Sequence, residues 1–355
     1  MQYARGFLLV LVGALACQPT TPLPQGLEDD GKGSPPPSGS TPPPTTDSGL
    51  TIADGGGVVT VLASGIQTPT SVALGATSIY WTDVGGGVWS VARTGGTPAQ
   101  IASGQNAPTS ITVNAGLSTL YWVNAGGPTG GGAIVSFNLS TSILTNLTTN
   151  LSGPYGVASN SQDVYFTAES VSQPGVDVTQ VPVAGGAALE IGTVVGGFVA
   201  GGLAIDTENA YFASYANGGG GSVSTVPLLG GGQPDTLWET AAAGPTDVVV
   251  EGSALYWLVP GTATSGAVWT VSLPGGKPVA MVTGLDSPKH LAVDDANAYW
   301  TSPVTGEVLA LPLGDTDGGL FTPVVLATGL TTPTALAVDD AVYVTTSSTV
   351  VSVPK

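Results

Sequence analysis

The chain carries one histidine, His290, one cysteine, Cys17, and only six Lys or Arg among 355 residues. A histidine serves as a general base when a carboxylate orients its ring and favours its protonated form. Asp247 is the acid best placed to do this. It precedes His290 by 43 residues, the same interval that separates Tyr256 from Tyr299 in the internal repeat described below. The two side chains should therefore stand side by side on adjacent repeats, with the Lys289 amine next to the imidazole. On a catalytic reading Asp247 raises the His290 pKa, and Asp247, Lys289 and His290 form a set for proton abstraction. On the alternative reading they are hydrogen-bonded or ion-paired decoration of a rim.

Most other chemistry is closed off. One Cys and one His do not supply a zinc site. No D-x-[DN]-x-[DN]-G calcium loop and no G-x-S-x-G nucleophile elbow occurs. The glycine runs at 130–132 and 218–221 lack the Lys-Ser/Thr that completes a phosphate loop. Asp294-Asp295 and Asp339-Asp340 offer paired oxygens, but they recur at the same point of successive repeats, which points to turn capping.

These residues are positioned by a repeat. Aromatic pairs occur at Tyr80-Trp81, Tyr121-Trp122, Tyr165-Phe166, Tyr211-Phe212, Tyr256-Trp257 and Tyr299-Trp300, and Tyr343-Val344 is a weaker seventh. Each unit contains four short β-prone runs separated by Gly, Pro, Asn and Asp, the pattern of a propeller blade. In the sixth unit these are Ser287–Asp294, Ala298–Thr301, Gly306–Leu311 and Thr322–Ala327. Gly95-Gly96, Gly185-Gly186, Gly231-Gly232 and Gly275-Gly276 fall where the third run turns into the fourth and a hairpin needs positive φ. Asp206, Asp294 and Asp339 follow first runs and fit Asx turns. The seventh unit ends after three runs at Lys355, whereas Val58–Ala63 is a fourth run with no blade before it. The expected fold is thus all-β: a seven-bladed β-propeller over residues 58–355, closed by an N-terminal strand that completes the last blade and removes free sheet edges.

Tyr80-Trp81-Thr82-Asp83 spells out Y-W-T-D, and residues 58–355 resemble the YWTD-type propellers of lipoprotein receptors. The chain is also similar to NHL-like bacterial propellers and to the virginiamycin lyase group. The receptor domains have six blades, so seven units point to the broader group. The lyases place a His near the top of a first strand, as His290 is placed here. They also use further ionisable residues and a metal, and this chain has no second His to match.

Aligning the first strands after the recurrent Pro gives two columns at the mouth of a central channel. The first reads Thr70, Thr109, Tyr155, Gly201, Thr246, Lys289, Thr334, and the second reads Ser71, Ser110, Gly156, Gly202, Asp247, His290, Ala335. The aromatic pairs, with Trp89 and Trp269, read as packing between blades. Candidate binding residues on the mouth and its loops are Asp83, Asn124, Tyr155, Glu169, Tyr215, Lys289 and His290. No cofactor is expected; the one metal chemistry left open is a divalent cation at the channel mouth.

The N-terminus reads as an address. Arg5 precedes the apolar run Phe7–Ala16, which ends at Cys17. A basic n-region, a short apolar core and small residues before the cut make residues 1–16 a secretory signal. The run is too short to span a bilayer. Its junction with Cys17 resembles the lipobox of bacterial lipoproteins, in which the Cys is lipidated, although Ala14 stands where that family prefers Leu. Residues 17–57, with Pro35–Pro37 and Pro42–Pro44, read as a disordered Pro/Ser/Thr-rich tether.

The 24 acidic residues give a net charge of -18. That balance excludes a nucleic-acid partner, because a phosphate backbone needs a Lys/Arg footprint. The expectation is a monomeric, surface-tethered, non-catalytic propeller at the outer membrane or cell surface of a bacterial envelope, touching the membrane only through its lipid. It would bind an extracytoplasmic protein or polysaccharide through its rim loops. The rival is a propeller lyase or hydrolase acting at the channel mouth with His290 and Asp247.

Overall fold

The structure is a computed structural model that describes residues 58–355 apart from 115, 117, 128–130, 197, 217–218 and 315–321. The expected signal segment, Cys17 and the tether lie outside the described residues. The described residues form seven four-stranded antiparallel sheets and no helix, a seven-bladed propeller as the repeat requires.

First strands run Pro69–Leu74, Pro108–Val113, Val157–Ser159, Val199–Ile205, Asp247–Glu251, Lys289–Val293 and Ala335–Val338 in blades 1 to 7. They stand next to one another around the axis. Each pairs with a second strand: Ser78–Asp83, Thr119–Asn124, Asp163–Glu169, Asn209–Tyr215, Ala254–Val259, Asn297–Ser302 and Val342–Thr345. The second strands carry the aromatic pairs. Trp81, Trp122, Trp257 and Trp300 are buried, and each hydrophobic cluster joins residues of neighbouring blades. The pairs are therefore core. Burying an aromatic ring removes a large apolar area from water, and four indoles together with Phe166 and Phe212 at the equivalent positions stabilise the ring as a unit.

The ring closes where the sequence places the closure. Thr60–Ser64 pairs antiparallel with Thr349–Val353 and completes blade 7, burying Leu62 and Ala63. Blade 1 then grips this strand. Gly96 N–H donates to the Leu62 carbonyl, and Gly95 sits at φ 86° against it, where an added Cβ would lie 3.2 Å from that oxygen. Arg93 of blade 1 reaches Asp339 at 2.7 Å and Asp340 at 3.2 Å in blade 7, with its guanidinium 5.4 Å from the Tyr343 ring centre.

The turns after first strands hold one correction. Asp206 and Asp294 cap as expected, each accepting two backbone N–H groups, and the second-strand tyrosines Tyr211 and Tyr299 donate to their other oxygens. Asn114 and Asn160 do the same capping in blades 2 and 3. Asp339 does not form an Asx turn. The blade 7 turn is shorter, closing from Asp339 N–H to the Ala341 carbonyl, which frees the carboxylate for Arg93.

Candidate functional site

First strands break their own ladder where they meet the channel mouth. Pairing skips Thr70 in blade 1, Thr109 and Ser110 in blade 2, Gly201 and Gly202 in blade 4, and His290 in blade 6. Such bulges re-aim side chains and leave backbone groups without ladder partners. Thr82, Thr167, Thr301 and Thr345, which follow the pairs of blades 1, 3, 6 and 7, supply many of the missing partners. All four are fully buried. Thr82 shares a 2.7 Å hydroxyl bond with Thr70, Thr167 donates to the Gly201 carbonyl, Thr301 to that of Lys289 and Thr345 to that of Ala335.

Freed amides are taken by the second column. Ser71 Oγ accepts the Ile111 N–H of blade 2 at 3.3 Å. Asp247 Oδ2 accepts the Leu291 N–H of blade 6 at 2.9 Å, while its Oδ1 accepts the Val248 N–H. Asp247 thus does between blades 5 and 6 what a serine does between blades 1 and 2. A neutral hydroxyl is sufficient for that bond, so the carboxylate's charge has no structural duty there. Thr70 and Thr334 are likewise tied to neighbouring strands, so the columns form less of an open hydroxyl ring than their composition implies.

What remains open is a cavity of about 730 Å³ at the channel mouth, lined by Tyr155, Asp247, Lys289, His290 and by Thr, Ser, Gly, Pro, Val and Leu residues of the first strands and adjoining loops. Asp247 lies over Gly202, whose missing side chain makes the room: a Cβ there would sit 2.9 Å from Oδ1. Lys289 is exposed. His290 holds φ at 46°, a left-handed conformation that His tolerates better than most residues but that still costs about 1 kcal/mol. Strain of this kind collects at functional positions.

His290 Nδ1 lies 3.8 Å from Asp247 Oδ2, close but beyond hydrogen-bond distance. Burial pushes each group toward its neutral form. The Asp247 carboxyl rises to about 6 because its charge is poorly solvated, outweighing the two amide bonds. The His290 imidazole falls to about 4 through burial and then through the Lys289 charge. The expected rise of the His290 pKa is therefore reversed, because desolvation dominates and Asp247 does not touch the ring. Tyr155 is held up to about 12 by burial, then by the Asp247 charge and the Tyr215 phenol.

The remaining candidates divide. Asp83 is buried, its two oxygens occupied by the Gly87 N–H at 2.9 Å and the Trp89 indole N–H at 2.6 Å, so it pins the blade 1 hairpin and is not available to a partner. Asn124 is also buried, and its amide donates to Gln105 Oε1, which takes the Trp122 indole N–H as well. Glu169 accepts the Ser152 hydroxyl at 3.4 Å, and its charge adds to burial in raising the Tyr215 phenol. Glu169 and Tyr215 therefore stand near each other on the rim, outside the residues that line the mouth cavity. Among the described residues no three His, Cys, Asp or Glu side chains converge as a metal site needs.

No family model matches this chain, and no curated protein does either. Solved structures do. A chain of the Kuenenia stuttgartiensis hydrazine synthase superposes with a TM-score of 0.62 at 13% identity, covering 82% of this chain and 98% of that one. The computationally designed Ika8 protein gives 0.54 at 13% identity, over 83% and 98%. A chain of a nidogen/laminin complex gives 0.49 at 18%, over 61% and 79%. What the first two share with this chain is the fold.

Sequence reasoning missed the Thr that follows four of the seven pairs, although Tyr-Trp-Thr stands in the sequence at 80–82 and 299–301. It also missed Gln105, whose partners lie on a different strand with no pattern to mark them. Trp238 escaped notice because fourth strands vary most between units. It packs 5.7 Å from Trp257 and 5.5 Å from Trp269.

Proposed function

We propose that this chain is a non-catalytic binding propeller, held at a bacterial envelope surface through a lipid on Cys17, and that its channel mouth receives an extracytoplasmic glycan. The observation that carries the reading is the makeup of the mouth cavity. A phenol, an amine, a carboxylate and an imidazole face a space whose other walls mix Thr, Ser, Gly and Pro with Val and Leu side chains. Its volume lies within the range of small-ligand sites, about 300–1,000 Å³. Groups that each donate or accept at short range around a concave floor suit a ligand rich in hydroxyls. An acidic ring repels polyanions, so the glycan is neutral or carries amines. Against catalysis stands the missing relay: a neutral His290 without a hydrogen bond to Asp247 lacks the oriented base of a His-carboxylate pair.

One observation favours the lyase or hydrolase alternative with its roles exchanged. A carboxyl raised to about 6 beside a cavity is itself a candidate base near neutral pH. A glycan array probed with the purified chain, paired with a search for released products, separates the two. Saturable binding without turnover, weakened in Lys289→Ala and Tyr155→Phe, is the expected result. Turnover abolished by Asp247→Ser would establish the enzyme, and binding only to protein extracts would replace the glycan with a protein partner. Mass spectrometry of the mature N-terminus tests the anchor; a free Cys17 thiol would remove it.

A further inference from the structure

A second cavity, of about 390 Å³, lies between blades 4 and 5. Its walls are Trp238, on the fourth strand of blade 4, and Trp269, on the third strand of blade 5, both half-buried with ring centres 5.5 Å apart and planes inclined at 50°. Thr240, Thr264 and Thr283 place hydroxyls at its edge, and no lining residue is ionisable.

Comparison with blade 1 shows that this tryptophan arrangement is not simply the blade's standard packing. Trp89 occupies the position of Trp269, since Trp81 pairs with Trp89 and Trp257 with Trp269. In blade 1 the indole N–H is taken by Asp83. In blade 5 the corresponding residue is Val259, and neither Trp269 nor Trp238 donates a hydrogen bond among the described residues. Trp269 stacks on Trp257 through one face, with ring centres 6.2 Å apart, and Trp238 packs against both, so each partly exposed indole keeps its outward side and a free donor.

We infer that this cavity is a subsite for one neutral pyranose unit. A sugar ring has an apolar C–H face that lies against an indole and an equatorial rim of hydroxyls that needs donors and acceptors. Aromatic walls with a few neutral polar groups at the edge match that chemistry. An anionic sugar finds no cation here, and a cationic ligand finds no carboxylate.

The position ties this subsite to the channel mouth. One blade 5 loop separates the two cavities: Pro260 lines the mouth, whereas Thr264 and Ser265 line the tryptophan pocket. Ser265 Oγ fixes that loop by bonding the Thr262 N–H and carbonyl, each at 2.8 Å. The segment entering blade 5 behaves alike, with Ala242 and Ala243 on one side and Thr246 and Asp247 on the other. A glycan crossing this loop occupies both sites. This extension to a continuous strand rests on the glycan reading of the mouth; the tryptophan subsite itself does not.

The test is an intrinsic-fluorescence titration of the purified chain with methyl β-glucopyranoside, methyl β-galactopyranoside, methyl α-mannopyranoside, methyl glucuronide and indole-3-acetamide. A saturable change with at least one neutral glycoside is expected. Trp238→Ala and Trp269→Ala should each weaken it by about tenfold or more, as loss of a central aromatic contact does, whereas Lys277→Ala, at an exposed residue that lines neither cavity, leaves it unchanged. Circular dichroism checks the fold of each variant. Saturation-transfer NMR on the wild type, reading transfer from indole protons to the sugar ring, provides the same test should a variant fail to fold. Equal binding of the glucuronide, stronger binding of indole-3-acetamide than of any glycoside, no response to any probe, or a response indifferent to both tryptophans overturns the inference. Oligosaccharide binding indifferent to Lys289→Ala, with glycoside binding lost in the tryptophan variants, refutes the mouth reading and leaves the subsite standing.

Discussion

Asp247 and His290 exchange one proton on folding, and that exchange can be measured. Asp247 is raised from 3.8 to about 6, so its protonated form is favoured in the folded chain. Its contribution is fully present below 3.8 and is lost as pH rises through 6. His290 is lowered from 6.5 to about 4, so its neutral form is favoured. That contribution is present above 6.5 and is lost as pH falls through 4. At about 1.36 kcal/mol per unit, each shift corresponds to about 3 kcal/mol, with opposite sign across the same window. Between pH 4 and 6 the folded pair holds one proton on Asp247 and the unfolded pair holds one on His290, so the wild-type contribution is nearly flat. Tyr155, at about 12, stays neutral in this range.

Single substitutions remove the cancellation. Asp247→Ser keeps an acceptor for Leu291, as Ser71 serves Ile111, and leaves only the His290 term. Relative to wild type and to its own value at pH 4, this variant should gain about 3 kcal/mol by pH 7. His290→Asn, which tolerates the same positive φ, should fall behind wild type by about the same amount over that interval. Urea unfolding followed by circular dichroism at pH 4, 5, 6 and 7 and constant ionic strength reads both. Variant curves that run parallel to wild type at all four values refute the argument.

Three further outcomes test the frame around the site. Leu62→Ala, in the strand that closes blade 7, should cost about 2–5 kcal/mol in urea unfolding. Arg93→Met, which removes the ties from blade 1 to Asp339 and Asp340, should cost about 1–2 kcal/mol, more at low salt than at high, read as a shift in Tm. Gln105→Ala, which leaves the Trp122 indole and the Asn124 amide without their shared acceptor, should cost about 1–3 kcal/mol despite removing a loop residue.

The blade count, the strand order and the closure were legible because the aromatic pairs recur at nearly constant spacing and each must be buried by its neighbour. The two first-strand columns were legible for the same reason, and they bring Tyr155, Asp247, Lys289 and His290 to one cavity. What the columns concealed was the bulging of the strands, which depends on buried Thr hydroxyls and on amides with no ladder partner. Residue type alone also misjudged the acids. Asp83 and Asp247 look equally suited to a rim, yet Asp83 is enclosed by the Gly87 amide and the Trp89 indole, while Asp247 keeps a face toward the cavity because blade 4 offers only Gly202 beside it. The sign of the His290 shift depends on burial and on the Lys289 charge against a 3.8 Å separation, and spacing along the chain contains none of these quantities.

The claim at the centre of this account is that ligand binds at the channel mouth. Hydrogen–deuterium exchange of the purified chain with and without the best glycan from the array tests it most directly. Protection should be concentrated in peptides carrying 68–72, 155–157, 246–247 and 287–291, the segments that line the mouth. Protection confined to the opposite turns around Asn160, Asp206 and Asp294, or no change in any peptide at saturating glycan, contradicts it.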